Sequence, residues 1–144
     1  MKACYLVDID GTVADISHRV FHIKKQPKDW DSFFDAAVND RAIEHMRILL
    51  KSLTLPLIYV SGRPEKYKIP TLNWLDLANF PMGYDIYMRP DGDRRDDDIV
   101  KFELLQKLKA DGWEPIMAFD DRTRVVKMWR ANGIPCLQVA EGDF

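Results

Sequence analysis

Five short apolar runs, rich in β-branched and aromatic residues, alternate along the chain with segments whose apolar residues recur at helical spacing. That alternation leaves few folds open. The runs are ACYLVDI, PLIYVS, YDIYMR, PIMAFDD and PCLQVA. Between them, Ile43, Met46, Leu49 and Leu50 mark one helix. Leu72, Leu75 and Leu77 mark a second, ending near Pro81, and Phe102, Leu104, Leu105 and Leu108 a third, stopped by Gly112. Val125, Val126, Met128 and Trp129 mark a fourth, stopped by Gly133. Strands that alternate with helices are joined by crossovers, which build a parallel sheet with helices on both faces. The stretch from Ile16 to Asp40 breaks the alternation. It carries KKQPKDWDSFFDAAVND, polar and aromatic, and reads as a small helical insertion after the first strand, over one end of the sheet.

The expected fold is therefore α/β, a Rossmann-like parallel sheet of about five strands in a single domain over residues 1–144, with 16–40 as a small cap. In such sheets ligands sit beyond the carboxyl ends of the strands. Asp8 and Asp10 end the first strand, Ser61, Gly62 and Arg63 the second, and Asp120 to Arg122 the fourth. A strand interior has no use for two like charges one residue apart, because unpaired buried carboxylates cost several kcal/mol or neutralise themselves. Ser, Gly and Asp are also common turn and cap residues, so any one strand end could be only that. Three together deliver oxygen ligands to one edge, a cage of the type Mg²⁺ prefers.

Composition excludes other classes. With 47% hydrophobic and 31% charged residues the chain reads as an ordinary globular protein. No apolar stretch approaches the length of a membrane span, and the N-terminal run meets aspartate too soon for a secretory signal. Cys4 and Cys136 lie in apolar runs and read as buried thiols of a reducing, cytoplasmic compartment. A net charge of −2 gives no global basic field for nucleic acid, so any hold on a polyanion has to be local.

DIDGTVAD, VSGRP, the lysine after RRDDDIV and AFDDR stand in the order of the four motifs of the haloacid dehalogenase superfamily of phosphotransferases, which the chain resembles over nearly its whole length. RPDGDRRDDDIVK and the ending FDDRTRVVKMWRANGIPCLQVAEGDF resemble more narrowly the 3′-phosphatase domain of phage-type polynucleotide kinase-phosphatases. No Gly-x-x-x-x-Gly-Lys-[Ser/Thr] run is present, so the kinase half of such proteins has no counterpart here.

The resemblance implies that Asp8 attacks phosphorus to form an aspartyl-phosphate, and that Asp10 serves as general acid and then as base for water. It implies Mg²⁺ on the Asp8 carboxylate, the Asp10 main-chain carbonyl and the pair Asp120 and Asp121, one directly and the other through water. Thr12, Ser61 and Gly62 are implied phosphate contacts, and Lys101 is implied to offset the charge of Asp8 and the phosphate. Lys101 has a plainer reading as an exposed ion pair with Asp97, four residues earlier. Asp96, Asp97 and Asp98 read as first-turn helix charges.

Arg63 and Arg19 are the candidates for reading substrate phosphate, although Arg19 lies in the insertion and could be a solvated face residue. His18 and His22, four apart and without a third ligand, make a poor zinc site and read as ordinary surface or core residues. Trp30, Phe33 and Phe34 suit either base stacking or anchoring of the insertion, and Lys24, Lys25 and Lys28 read as solvated surface. The expected partner is a phosphorylated substrate, a nucleic-acid 3′ end or a nucleotide, with no membrane; sequence leaves the oligomeric state open. A fold that binds phosphate without catalysis is the competing class, and the presence of both Asp8 and Asp10 speaks against it.

Overall fold

In the computed structural model, which describes residues 1–144, every apolar run becomes a strand. The order is β1 (Lys2–Val7), β2 (Ala14–Asp15), α1 (Phe21–Lys24), α2 (Trp30–Asp35), β3 (Arg41–Ala42), α3 (Glu44–Ser52) and β4 (Leu57–Pro64). It continues with α4 (Lys68–Leu77), β5 (Asp85–Arg89), α5 (Asp97–Ala110), β6 (Trp113–Asp120), α6 (Thr123–Ala131) and β7 (Cys136–Gln138). The five long strands form one parallel sheet in the order β5-β4-β1-β6-β7. β1 lies at its centre, with β4 on one side and β6 on the other, so the strand order reverses at its carboxyl end. That is where an open α/β sheet leaves a crevice.

The strand period of two divides the core. Cys4 and Leu6 of β1, with Ile58 and Val60 of β4, pack on α5 and α6 through Val100, Leu104, Leu105, Leu108, Val125 and Trp129. Val7 of β1, with Leu57 and Tyr59 of β4, packs on α3 and α4 through Met46, Leu50, Trp74 and Leu75. Both faces of the sheet are thus covered, as a parallel sheet requires. Cys4 and Cys136 are buried free thiols.

Two boundaries differ from the sequence reading. The second helix stops at Leu77 rather than near Pro81, because Asn79 takes a left-handed conformation (φ 62°), one that asparagine tolerates. The insertion is also closed at its neck, where β2 and β3 pair antiparallel. This pairing returns Asp40 to the sheet edge, and within the loop lie α1, α2 and a 3₁₀ turn over Ala36–Asn39.

Candidate active site

The chain leaves β1 through a tight turn. Asp8 still donates its N–H to Phe119 of β6 (3.0 Å), after which the Ile9 carbonyl accepts from Thr12, Val13 and Ala14 (3.1, 2.9 and 3.0 Å). Gly11 makes the turn possible with φ 84°, and a β-carbon there would overlap the Asp121 carboxylate. The turn brings Thr12 back beneath Asp8. Its buried hydroxyl donates to Asp8 Oδ2 at 2.9 Å, so Thr12 touches the aspartate rather than opening to solvent.

Lys101 comes from α5 and is buried, its Nζ bonded to Asp8 Oδ1 at 2.7 Å and to Asp120 Oδ2 at 3.0 Å. Asp97 Oδ2 stands 3.6 Å away, so the anticipated pair with Asp97 exists but is no surface feature. Burial disfavours the lysine charge, yet the Asp120, Asp8 and Asp97 carboxylates outweigh it and raise the Lys101 pKa well above its usual value. Asp120 also accepts from Trp129 Nε1 (3.3 Å) and from the Arg122 N–H (3.2 Å).

Asp8, Asp120 and Asp121, all buried, bring carboxylate oxygens within 4.8 Å of one another. Burial pushes the Asp8 carboxyl well above the usual range and Asp120 adds to this, with Lys101 opposing. Asp121 is pushed up to about 6, again chiefly by burial, with Asp120 adding to the rise and the contact with Asp8 opposing it. Three carboxylates share one ammonium here. The surplus negative charge and the hard oxygen donors fit Mg²⁺.

Asp10 points into a separate and balanced cluster. Its Oδ1 accepts from Arg19 Nη2 (2.7 Å) and Arg63 Nη2 (2.6 Å). Asp40 completes the group, accepting from Arg19 Nε (2.8 Å) and Nη2 (2.7 Å), with Arg63 Nη2 at 3.4 Å. Arg63 also donates to Thr71 of α4 (3.0 Å) and Arg19 to the Phe33 carbonyl (3.3 Å). Burial raises the Asp10 pKa, but Arg63 and then Arg19 outweigh it and hold the carboxyl below its ordinary value. Two carboxylates face two guanidiniums. Arg19 is fully buried rather than a solvated face residue, and His18 Nε2 bonds Asp40 Oδ1 at 2.6 Å.

From β4, the Ser61 hydroxyl accepts the Arg63 N–H at 3.1 Å, leaving its own O–H to donate. Arg89 Nε bonds the Gly62 carbonyl (2.8 Å), and a β-carbon on Gly62 would overlap Asp97, which packs directly against that turn. Asp8, Asp10, Thr12, Arg19, Ser61, Gly62, Arg63, Lys101, Asp120 and Asp121 therefore gather at one sheet edge, as two charge clusters that share the first turn. Sequence reasoning missed Asp40, Arg89 and Trp129. The signal for Asp40 and Arg89 was only position, and Trp129 reads from its spacing as a core residue.

The model of the polynucleotide kinase PNKP phosphatase domain matches residues 2–144. A protein of Autographa californica nuclear polyhedrosis virus, named as a bifunctional polynucleotide kinase/RNA ligase, is 30% identical over 134 residues, 90% of this chain and 18% of that protein. Among solved structures, a chain of the Pnkp1/Rnl/Hen1 complex superposes with TM-score 0.81 at 28% identity, covering 100% of this chain and 47% of that one. The chain thus spans less than half the length of either relative. A class C acid phosphatase from Bacillus anthracis, at TM-score 0.63 and 15% identity over 96% of this chain and 68% of that one, shares the fold. Three strand-end motifs and a helix lysine that converge on one crevice agree with a family match over nearly every residue: the chain belongs to the family of polynucleotide kinase PNKP phosphatase domains, phosphomonoester hydrolases of the haloacid dehalogenase type.

Proposed function

We propose that the chain is a Mg²⁺-dependent phosphomonoesterase that forms an aspartyl-phosphate on Asp8 and removes the 3′-phosphate from nucleic-acid ends. Residues 1–144 act as one catalytic domain with 16–40 as a small cap. The observation that carries this reading is the bond from Lys101 to both Asp8 and Asp120 within a cluster of three buried carboxylates. Asp8, the Asp10 carbonyl, Asp120 and Asp121 would hold Mg²⁺, which supplies neutralisation of the phosphate dianion and orientation of its oxygens.

Asp8 attacks phosphorus as the bond from phosphorus to the ester oxygen breaks, and Asp10 delivers a proton to the departing 3′-oxygen. Water then attacks the acyl-phosphate, Asp10 takes its proton, and phosphate leaves with Asp8 restored. Lys101 opposes the protonation that burial and Asp120 favour at Asp8 and aims the carboxylate, while Thr12 fixes its other oxygen. Ser61 O–H and the Gly62 N–H face the transferred group. In the free protein Asp10 is held ionised by two guanidiniums, the form required of a base. Its acid role requires Arg63 and Arg19 to loosen that hold as the substrate dianion draws them, so that Asp10 takes up a proton from solvent before the ester bond breaks.

A phosphate-release panel with Mg²⁺ tests the reading. It compares 3′-phosphorylated and 5′-phosphorylated oligonucleotides, nucleoside 3′- and 5′-monophosphates and sugar phosphates. Release from 3′-phosphorylated strands, abolished by Asp8→Asn, is expected. Retention of a tenth of the activity by Asp8→Asn rules out the covalent step. Far better turnover of nucleoside 5′-monophosphates replaces the 3′-end reading with a nucleotidase.

A further inference from the structure

Trp30, Phe34 and Tyr67 form a file of aromatic rings beside the balanced charge cluster. Trp30 and Phe34 stack with centroids 5.8 Å apart and planes 23° from parallel, and Phe34 meets Tyr67 at 5.4 Å and 39°. Core anchoring accounts for only part of the file: Tyr67 packs against the core on the α3–α4 side of the sheet, whereas Trp30 stays outside it. Phe33 turns inward, buried beneath the Arg19 guanidinium at 4.3 Å, and Trp30 and Phe34 meet it edge-on with centroids at 5.7 and 5.2 Å. Trp30 remains 47% exposed, and Phe34 and Tyr67 are half-buried. Ammonium groups lie over both ends of the file, Lys28 at 5.8 Å from the Trp30 ring and Lys66 at 5.3 Å from the Tyr67 ring.

The file is also tied to the reacting edge. Phe33, next to Phe34, gives its carbonyl to Arg19, and Tyr67 follows Arg63 by four residues. The Tyr67 hydroxyl donates to Asp35 of α2 at 3.1 Å, which locks the two segments together.

We infer that this file is a stacking subsite for a base of a single strand whose 3′-phosphate lies in the catalytic cluster; it rests on the function proposed above. An exposed aromatic ring is a platform on which a base stacks without regard to its identity, and Trp30, 47% exposed, is the ring of the file that offers one. Charge alone does not hold the strand. Lys66 is itself 3.5 Å from Asp31 and Lys25 4.0 Å from Asp29, so part of the local positive charge is already matched. Stacking carries the contact with the base.

The test is equilibrium binding, in metal-free buffer, of a labelled single-stranded oligonucleotide carrying a 3′-phosphate. Versions made abasic at each of the nucleotides nearest the phosphate are compared with it. Removing one such base should weaken binding to the natural protein about 10-fold, a typical loss for one stacked base. Trp30→Leu should weaken the intact strand by a similar factor and the abasic strand hardly further, and Trp30→Phe should restore most of the loss. The inference is overturned if no abasic position matters in the natural protein, which needs no variant to fold. It is equally overturned if Trp30→Leu weakens intact and abasic strands alike. Base-dependent binding without 3′-phosphate release would sink the enzymatic reading and leave the subsite; release without base dependence would do the reverse.

Discussion

Asp40 shows how much one residue outside every motif can hold. Its carboxylate, buried with no exposed side-chain surface, accepts from Arg19 twice, from Arg63 and from His18. Without it, two buried guanidiniums would share Asp10 alone. Removing one partner of a buried pair leaves an uncompensated charge and costs about 3 kcal/mol or more. Asp40→Asn should therefore lower the urea midpoint by that order and reduce phosphate release, since Arg19 and Arg63 would pull Asp10 out of place. An unchanged midpoint would mean that Asp10 alone balances both arginines. The residue was not legible in the sequence. It stands in VNDR, an ordinary turn composition, and only the pairing of β2 with β3 returns it to a site that begins thirty residues earlier. Arg19 and Arg63 were legible as cations but not in their resting partners, because a sequence does not say which carboxylate a guanidinium finds first.

Elements were easier to read than their joints. The five strands and four principal helices follow from apolar period and length, which burial on both faces of a parallel sheet enforces. The two-residue strands β2 and β3 carry no period to detect, and the end of α4 depends on a single left-handed Asn79. One further signal lay open on α5. Lys101, Leu104, Leu105 and Leu108 follow the helical spacing of a buried face, and all four are buried, so a lysine among them marks a paired charge in the core. The first turn gives a prediction at this scale. Gly11→Ala adds both backbone strain and a methyl group against Asp121, so activity should collapse and the melting temperature fall. Gly92 has nearly the same φ (81°) with open space around it, so Gly92→Ala should cost only the strain, about 1 kcal/mol, and leave phosphate release intact. Equal effects in assays of melting and phosphate release would remove the special role of the Gly11–Asp121 contact.

Across the whole molecule, a net charge of −2 conceals a sharp internal division. On one side of the first turn Asp10 and Asp40 are matched by Arg19 and Arg63; on the other, Asp8, Asp120 and Asp121 have Lys101 alone. Of these two clusters, only the one with Asp8, Asp120 and Asp121 carries unmatched negative charge, at the carboxyl ends of the central strands. A divalent cation that binds the folded state relieves it, and stabilises by mass action, about 2.7 kcal/mol when its concentration is a hundred times its Kd. Millimolar Mg²⁺ should thus raise the melting temperature, followed by calorimetry with and without chelator. Asp121→Ala should blunt the rise. It should also leave the metal-free protein at least as stable as the natural one, because it removes a carboxylate that burial and Asp120 push up to about 6. Asp40→Asn gives the contrast: it lowers the metal-free melting temperature, whereas the Mg²⁺-dependent increment should survive, since the balanced cluster donates no ligand side chain. If Mg²⁺ shifts neither the natural protein nor Asp40→Asn, the surplus charge is met by protonation rather than by metal, and the cation does not belong to this cluster.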